Sequence, residues 1–278
     1  MRYSVVIPCM DIGNKRCSIP LTVAGLFNQN YSSYEVILVV DCTGVQLPTT
    51  VQEVIGDKSN FCVVETDGKK QRSEARNIGA TQAKGERLVF MDDDALILSD
   101  SVFSALDCVD IEGGFAAGAR RKWLHLCWCH ETVARCIASN DTQYLESISI
   151  VPSGIKRKTG RRDLQEFSFF GHFGCIGHDD FDRIGGFNES YVGWGYEDID
   201  IMLRAYILNR KYYHLFNDID VFHLTHPINR TEMESRSQNV SEYENLERSL
   251  GVHFHVNRLF GVYDDVPNGP ILDKRRHA

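Results

Sequence analysis

An α/β fold, with helices on both faces of a mostly parallel mixed sheet, follows from three features of the sequence. Apolar β-branched runs alternate with helix-spaced segments through residues 1–98, the pattern of consecutive strand–helix–strand units. The strand runs are apolar throughout rather than every second residue, as expected of strands covered on both faces. Most of them close on a polar cluster, and in open α/β sheets ligands bind beyond the carboxyl ends of the strands.

Taken in order, "YSVVIP" (3–8) is a strand stopped by Pro8, and "IPLTVAGLFNQ" (19–29) carries apolar residues at helical spacing. "YEVILVVD" (34–41) is a second strand ending on Asp41, and "FCVVET" (61–66) a third ending near Thr66 and Asp67. The small and polar helix "SEARNIGATQA" (73–83) is closed by Gly85, and the strand "RLVFM" (87–91) runs into Asp92, Asp93 and Asp94. A further helix is predicted to start near Ser99. In the second half "EDIDIMLRA" opens a helix with an acidic first turn, and "IDVFHLTHP" predicts a short strand, Ile219 to Phe222, followed by His223 and His226 and stopped by Pro227.

Length and composition bound the rest. A chain of 278 residues with 43% hydrophobic content builds a sizeable core. It reads as one domain over 1–262, with a first half at 1–98, a second half at 99–262 and a tail at 263–278. The start "MRYSVVIP" leaves no room for a leader and no run of 18 apolar residues occurs, so a soluble, cytoplasmic protein with no transmembrane segment is expected. Nine cysteines at irregular spacing suit a reducing compartment, most of them as buried thiols. The net charge of −8 argues against nucleic acid as a partner. An acidic chain that binds a phosphorylated ligand needs a local device such as a metal ion, a helix N-terminus or a few arginines.

The triple aspartate supplies such a device. Three adjacent carboxylates repel one another and are disfavoured in a strand, which makes a purely structural role an odd use of the position. Alternate residues of an extended segment share a face, so Asp92 and Asp94 point into one pocket while Asp93 faces elsewhere. Two such oxygens suit a hard divalent cation, Mg²⁺ or Mn²⁺, with positions left for phosphate oxygens. His223 and His226 offer a nitrogen ligand to a cation already held by carboxylates.

"SVVIP", "VILVVD", "SEARNIGATQAKGERLVFMDDDALIL" and "FDRIGGFNESYVGWGYEDIDIMLRA", in that order, resemble glycosyltransferase family 2 of the GT-A fold over about residues 3–226. The resemblance implies an α/β/α sandwich whose Rossmann-like N-terminal half binds a nucleotide-sugar, by default a UDP-sugar. It makes Asp92 and Asp94 the metal-holding carboxylates, puts Asp92 and Asp93 beside the donor, and likens Asp41 to the nucleobase-reading aspartate. Arg76 of "ARN" matches an arginine near the nucleotide, and Pro8 stands at the mouth of the first strand. "VVDCTG" departs from the "VDDGS" of many members, which bears on nucleobase identity.

"GWGYEDID" is similar to the acceptor and catalytic block of β-1,4-galactosyltransferase-like enzymes. By that resemblance Asp198 is the general base, Glu197 shapes the pocket, Trp194, Gly195 and Tyr196 line the sugar site, and one or both of His223 and His226 ligate the metal. Tyr196 stands where those enzymes often have glycine. Asp200 is expected on the helix surface or behind the site. A carboxylate base suits an alcohol attacking an anomeric carbon, and the helix N-terminus favours its charged form. One base and no covalent intermediate imply inversion. The alternatives are a retaining N-acetylgalactosaminyltransferase-like enzyme, which lacks an aspartate at this position, and a non-catalytic nucleotide- or sugar-binding protein on the same fold. The acceptor is a saccharide, a lipid-linked glycan, a peptide or a small molecule.

Two other segments stand apart. "LHLCWCHETVARC" (124–136) gathers cysteines and histidines without zinc-site spacing and reads as buried thiols. "SGIKRKTGRRD" (153–163) reads as a basic surface loop, either solvated with no partner, or closing over a diphosphate or making a peripheral contact with an anionic acceptor or lipid headgroup.

Overall fold

The computed structural model describes residues 1–10, 18–109, 115–117, 119–125, 130–139, 141–149, 172–193, 195–209, 212–215, 218–225, 236–250, 252–253 and 273–274. Its first unit comprises β1 (Tyr3–Cys9), α1 (Ser18–Phe27), β2 (Tyr34–Val40), α2 (Thr49–Ile55), β3 (Phe61–Glu65), α3 (Arg72–Gln82) and β4 (Arg87–Met91). There follow β5 (Ala95–Leu96), α4 (Val102–Cys108), β6 (Phe115–Ala117), β7 (Arg120–His125), α5 (His130–Ala138) and α6 (Thr142–Ile148). The last part holds β8 (Phe173–Gly177), α7 (His178–Arg183), α8 (Glu197–Asn209), β9 (Tyr212–His214), β10 (Asp220–Thr225) and α9 (Arg236–Ser249). Val252–His253 and Asp273–Lys274 form a small antiparallel pair.

Seven strands make the main sheet in the order β3-β2-β1-β4-β8-β6-β9. β3, β2, β1 and β4 pair in parallel, and β8 is antiparallel to both its neighbours. Every residue of β1 and β2 is buried, which is why both read as unbroken apolar runs. Alternation still sorts their side chains. Val5, Ile7, Val36 and Leu38 pack with Val23 and Leu26 of α1 and Phe103 of α4, while Val6, Ile37, Val39 and Phe90 pack with Ala75 of α3, Phe181 of α7 and Ile201 of α8. The result is the expected α/β/α layering, and each fully buried Val, Leu, Ile or Phe contributes about 1.5–3 kcal/mol.

α3 lies unusually close to the sheet. A Cβ at Gly79 would come within 2.4 Å of Val6 Cγ1 and 2.9 Å of Val39 Cγ2, so only glycine allows this approach. The helix starts with a capping box in which the Gln71 N–H donates to Glu74 Oε2 at 2.8 Å. Both features fix the height of Arg76, one turn further along.

A second sheet, β5-β10-β7, sits against the main one, with its own apolar cluster that includes Leu96, Leu124 and Phe222. The predicted strand Ile219 to Phe222 is shifted and longer, Asp220–Thr225, so His223 stands within it rather than after it. Pairing decides this: His223 is opposite Ala95 on β5 and Trp123 on β7. The predicted helix near Ser99 begins at Val102. Of the described cysteines Cys9, Cys136 and Cys175 are buried, but Cys62 and Cys108 are exposed, which narrows the expectation of mostly buried thiols. Segment 153–163 lies outside the described residues, as do Trp194 and His226. No helix among the described residues is long and apolar enough to cross a membrane.

Candidate active site

The site forms where β4, β8 and β10 meet. Met91, the last residue of β4, pairs with Phe173, the first of β8. The residues just beyond, Asp92 and His172, are therefore brought side by side, with His172 Nδ1 3.9 Å from Asp92 Oδ2. On the other side the Leu224 N–H donates to the Asp94 carbonyl at 2.8 Å, tying β10 to the aspartate turn. His223 Nε2 then lies 3.8 Å from Asp94 Oδ2, and the His172 and His223 rings stack at 5.6 Å.

Asp92, Asp94 and His172 can each turn one ligand atom into a space where all three lie within 4.8 Å of one another. Two carboxylate oxygens and an imidazole nitrogen are a donor set that suits a divalent cation. His223 stands beside them: its Nδ1 is 3.1 Å from the Leu224 carbonyl, which only accepts, so Nδ1 is the donor, and in the neutral ring Nε2 is the nitrogen left with a lone pair. The main-chain carbonyl of Asp93 accepts from the Thr22 hydroxyl at 3.0 Å, which ties the aspartate turn to α1.

Arg76 joins this cluster to the start of α8. Its guanidinium donates to Asp92 Oδ1 at 2.9 Å and to Glu197 Oε1 at 3.2 Å, and sits 5.1 Å over the Phe187 ring. The side chain is 2% exposed. Burial alone would lower its pKa, but Asp92 and Glu197 more than offset this and raise it, so the cation is secure.

Asp198 behaves differently from the sequence expectation. The helix N-terminus was expected to favour its charged form, and the Ile199 N–H does donate to Asp198 Oδ1 at 2.9 Å. Burial of the carboxyl and the adjacent Glu197 charge nevertheless push its pKa up to about 8, with Arg76 pulling the other way. Desolvation outweighs the dipole here because a partly screened helix end contributes about 0.3–1 kcal/mol, less than the loss of hydration.

The remaining predicted residues take up supporting places. Pro8 is buried in β1 opposite Val39. Asp41 follows β2 and accepts from the Thr66 hydroxyl and from the Lys70 N–H at 3.1 Å, so its carboxylate staples the 66–70 loop. Gly195 and Tyr196 both have left-handed backbone, φ 96 and φ 76, and Tyr196 is the only such non-glycine among the described residues. Asp200 is not on the helix surface. It is fully buried behind the site, accepting from the Tyr191 hydroxyl at 3.1 Å and from Arg204 Nε at 2.5 Å. Arg204 in turn donates to the Ile184 and Gly186 carbonyls, which anchors α8 to the turn before it.

Sequence reasoning passed over three residues. His172 gave only the signal of a histidine directly ahead of an apolar strand. Asn77, beside Arg76, clamps Phe187 through its N–H at 2.8 Å and its carbonyl at 2.9 Å. Asn239 on α9 holds residues 192 and 195, and nothing nearby in the sequence marks it.

Comparison with known proteins bears on the fold and on which families the chain resembles. Residues 4–122 match the family described as glycosyl transferase family 2, and residues 157–227 match the N-terminal domain of galactosyltransferase. An uncharacterized glycosyltransferase of Haemophilus influenzae is 27% identical over 109 residues, which are 38% of this chain and 34% of that protein. The chain thus matches about a third of that relative's length. Among solved structures, the mannosyltransferase PcManGT from Pyrobaculum calidifontis, in complex with GDP-Man and Mn²⁺, has a TM-score of 0.59 at 16% identity, covering 89% of this chain and 64% of that one. GalNAc-T7 with UDP, GalNAc and Mn²⁺ has a TM-score of 0.62 at 14% identity, covering 87% and 48%. Its first sheet strands and aspartate turn lie inside the region that matches glycosyl transferase family 2, and its layers superimpose on these enzymes, so the chain has the GT-A fold and resembles that family over residues 4–122.

Proposed function

We propose that the chain transfers a sugar from a nucleotide-sugar, a UDP-sugar, to a hydroxyl acceptor, with a divalent metal and with inversion at the anomeric carbon. The observation that carries this reading is the continuous link from Asp92, Asp94 and His172 through Arg76 to Glu197 and Asp198. Nucleotide-sugars or nucleotides with Mn²⁺ in the structural neighbours support the donor class.

Asp92, Asp94 and His172, with His223 beside them, would hold the cation, which when bound supplies positive charge against the negative charge developing on the departing diphosphate. Arg76 keeps Asp92 oriented toward the donor side and Glu197 toward the sugar side. Asp198 takes the proton of the acceptor hydroxyl as its oxygen bonds to the anomeric carbon and the bond from that carbon to the diphosphate oxygen breaks. A base with a pKa near neutrality suits this role, because it is basic enough to accept the proton and still ionised in a useful fraction.

A panel of UDP-sugars with Mn²⁺, followed by release of UDP, tests the reading. Slow hydrolysis of one donor is expected in the wild type, lost in Asp92→Ala and Asp94→Ala and reduced about 10²–10⁴-fold in Asp198→Asn. Equal donor affinity with and without metal, or an undiminished rate in Asp198→Asn, would overturn it. A product of retained configuration would favour the N-acetylgalactosaminyltransferase-like alternative.

A further inference from the structure

The segment leading into α8 is held in an unfavourable shape, and the restraint comes from the far end of the chain. Tyr196 sits at φ 76, a left-handed conformation that a bulky side chain adopts only when its surroundings over-determine it. It immediately precedes Glu197 and Asp198, and its carbonyl accepts the Asp200 N–H at 2.8 Å as the first bond of the helix. Any change at Tyr196 therefore re-aims Asp198.

The surroundings that hold it are on α9. Asn239, 1% exposed, uses both ends of its amide on this segment. Its Oδ1 accepts the Val192 N–H at 3.1 Å, and its Nδ2 donates to the Val192 carbonyl at 2.9 Å and the Gly195 carbonyl at 3.0 Å. One turn on, the Tyr243 ring packs on Tyr196 at 5.5 Å between centroids. From the α3 side, Gln71 Oε1 accepts the Gly193 N–H at 3.0 Å. Three bonds from one buried amide straddle the segment just ahead of Tyr196.

We infer that Asn239 is a positioning residue for the base Asp198, acting through the backbone of Val192, Gly195 and Tyr196. The inference rests on the proposed role of Asp198. It implies that α9, which bears none of the metal-site or base residues, sets the geometry of proton transfer without setting donor affinity.

The test uses the full chain with Mn²⁺ and whichever UDP-sugar the wild type hydrolyses, comparing wild type, Asp198→Asn, Asn239→Asp and Asn239→Ala. Asn239→Asp is isosteric and keeps the bond from Val192 N–H while losing both donated bonds, so it guards against an Ala variant that does not fold. Both Asn239 variants are expected to lower kcat about 10–100-fold with KM for the UDP-sugar changed less than about threefold. Hydrogen exchange should quicken in peptides covering 191–198 while β1, β2 and α3 stay protected. Unchanged kcat and unchanged exchange at 191–198 would overturn the inference, as would a loss confined to KM. If Asp198→Asn is itself as fast as wild type, it is the base assignment that fails, and the exchange result alone then decides whether Asn239 holds the segment.

Discussion

Replacing Arg76 by methionine removes the cation between two carboxylates and keeps much of the side-chain volume. Glu197, whose side chain is 9% exposed, is left as a buried charge without its partner, whereas Asp92, at 33%, regains water. The stability loss is therefore set by Glu197 and the loss of order at the aspartate turn by Asp92. Stranding one member of a buried pair costs about 3–5 kcal/mol. At roughly 2–4 °C per kcal/mol for a chain of this size, thermal unfolding followed by circular dichroism should shift down by about 6–20 °C. The double variant Arg76→Met/Glu197→Gln removes the stranded charge and should recover about 1–3 kcal/mol of that loss. Because Arg76 also pulls the Asp198 pKa down, the pH at which hydrolysis reaches half its plateau should move upward in Arg76→Met. A shift in melting of under about 2 °C in the single variant, or no recovery in the double, would refute the account of Arg76 as a structural link, since an exposed pair contributes only about 0–1 kcal/mol.

Other consequences are equally direct. Asp198 has a raised pKa in the fold, so its contribution to stability is complete below the ordinary carboxylate range and is lost as pH rises through about 8. Asp198→Asn should accordingly be more stable than wild type at pH 8 by about 1–3 kcal/mol, after allowing for partial exposure, and no more stable at pH 4; urea titrations at both values check the sign. Gly79→Ala drives a methyl into Val6 and Val39 and should cost about 1–3 kcal/mol in the same assay, against the usual gain from replacing a helical glycine. Tyr243 is 3% exposed and its hydroxyl has no hydrogen-bond partner among the described residues, so Tyr243→Phe should raise stability by about 1 kcal/mol, and a loss instead would point to a partner outside them.

The layers of the fold were legible because burial on both faces forces unbroken apolar strands, and β1, β2 and β4 carry just such runs. The aspartates were legible because adjacent carboxylates at a strand end conflict with local preference. The acidic opening of α8 was legible as a helix start, and its resemblance to a known block separated Asp198 from Glu197. These are properties of neighbouring residues, and a sequence records neighbours well.

What the sequence alone determined about this protein is thus its α/β layering, the aspartate pair and the acidic start of α8. Tertiary structure decided the partners. Only the antiparallel insertion of β8 beside β4 puts His172 against Asp92, only the pairing of β10 with β5 turns His223 toward Asp94, and only the return of α9 brings Asn239 under residues 192–195. It also decided the sign of the Asp198 shift, because burial depends on what is packed above a carboxyl. The physical reason is common to all four: strand order, helix return and desolvation arise from contacts between residues far apart in the chain, where local pattern carries no record.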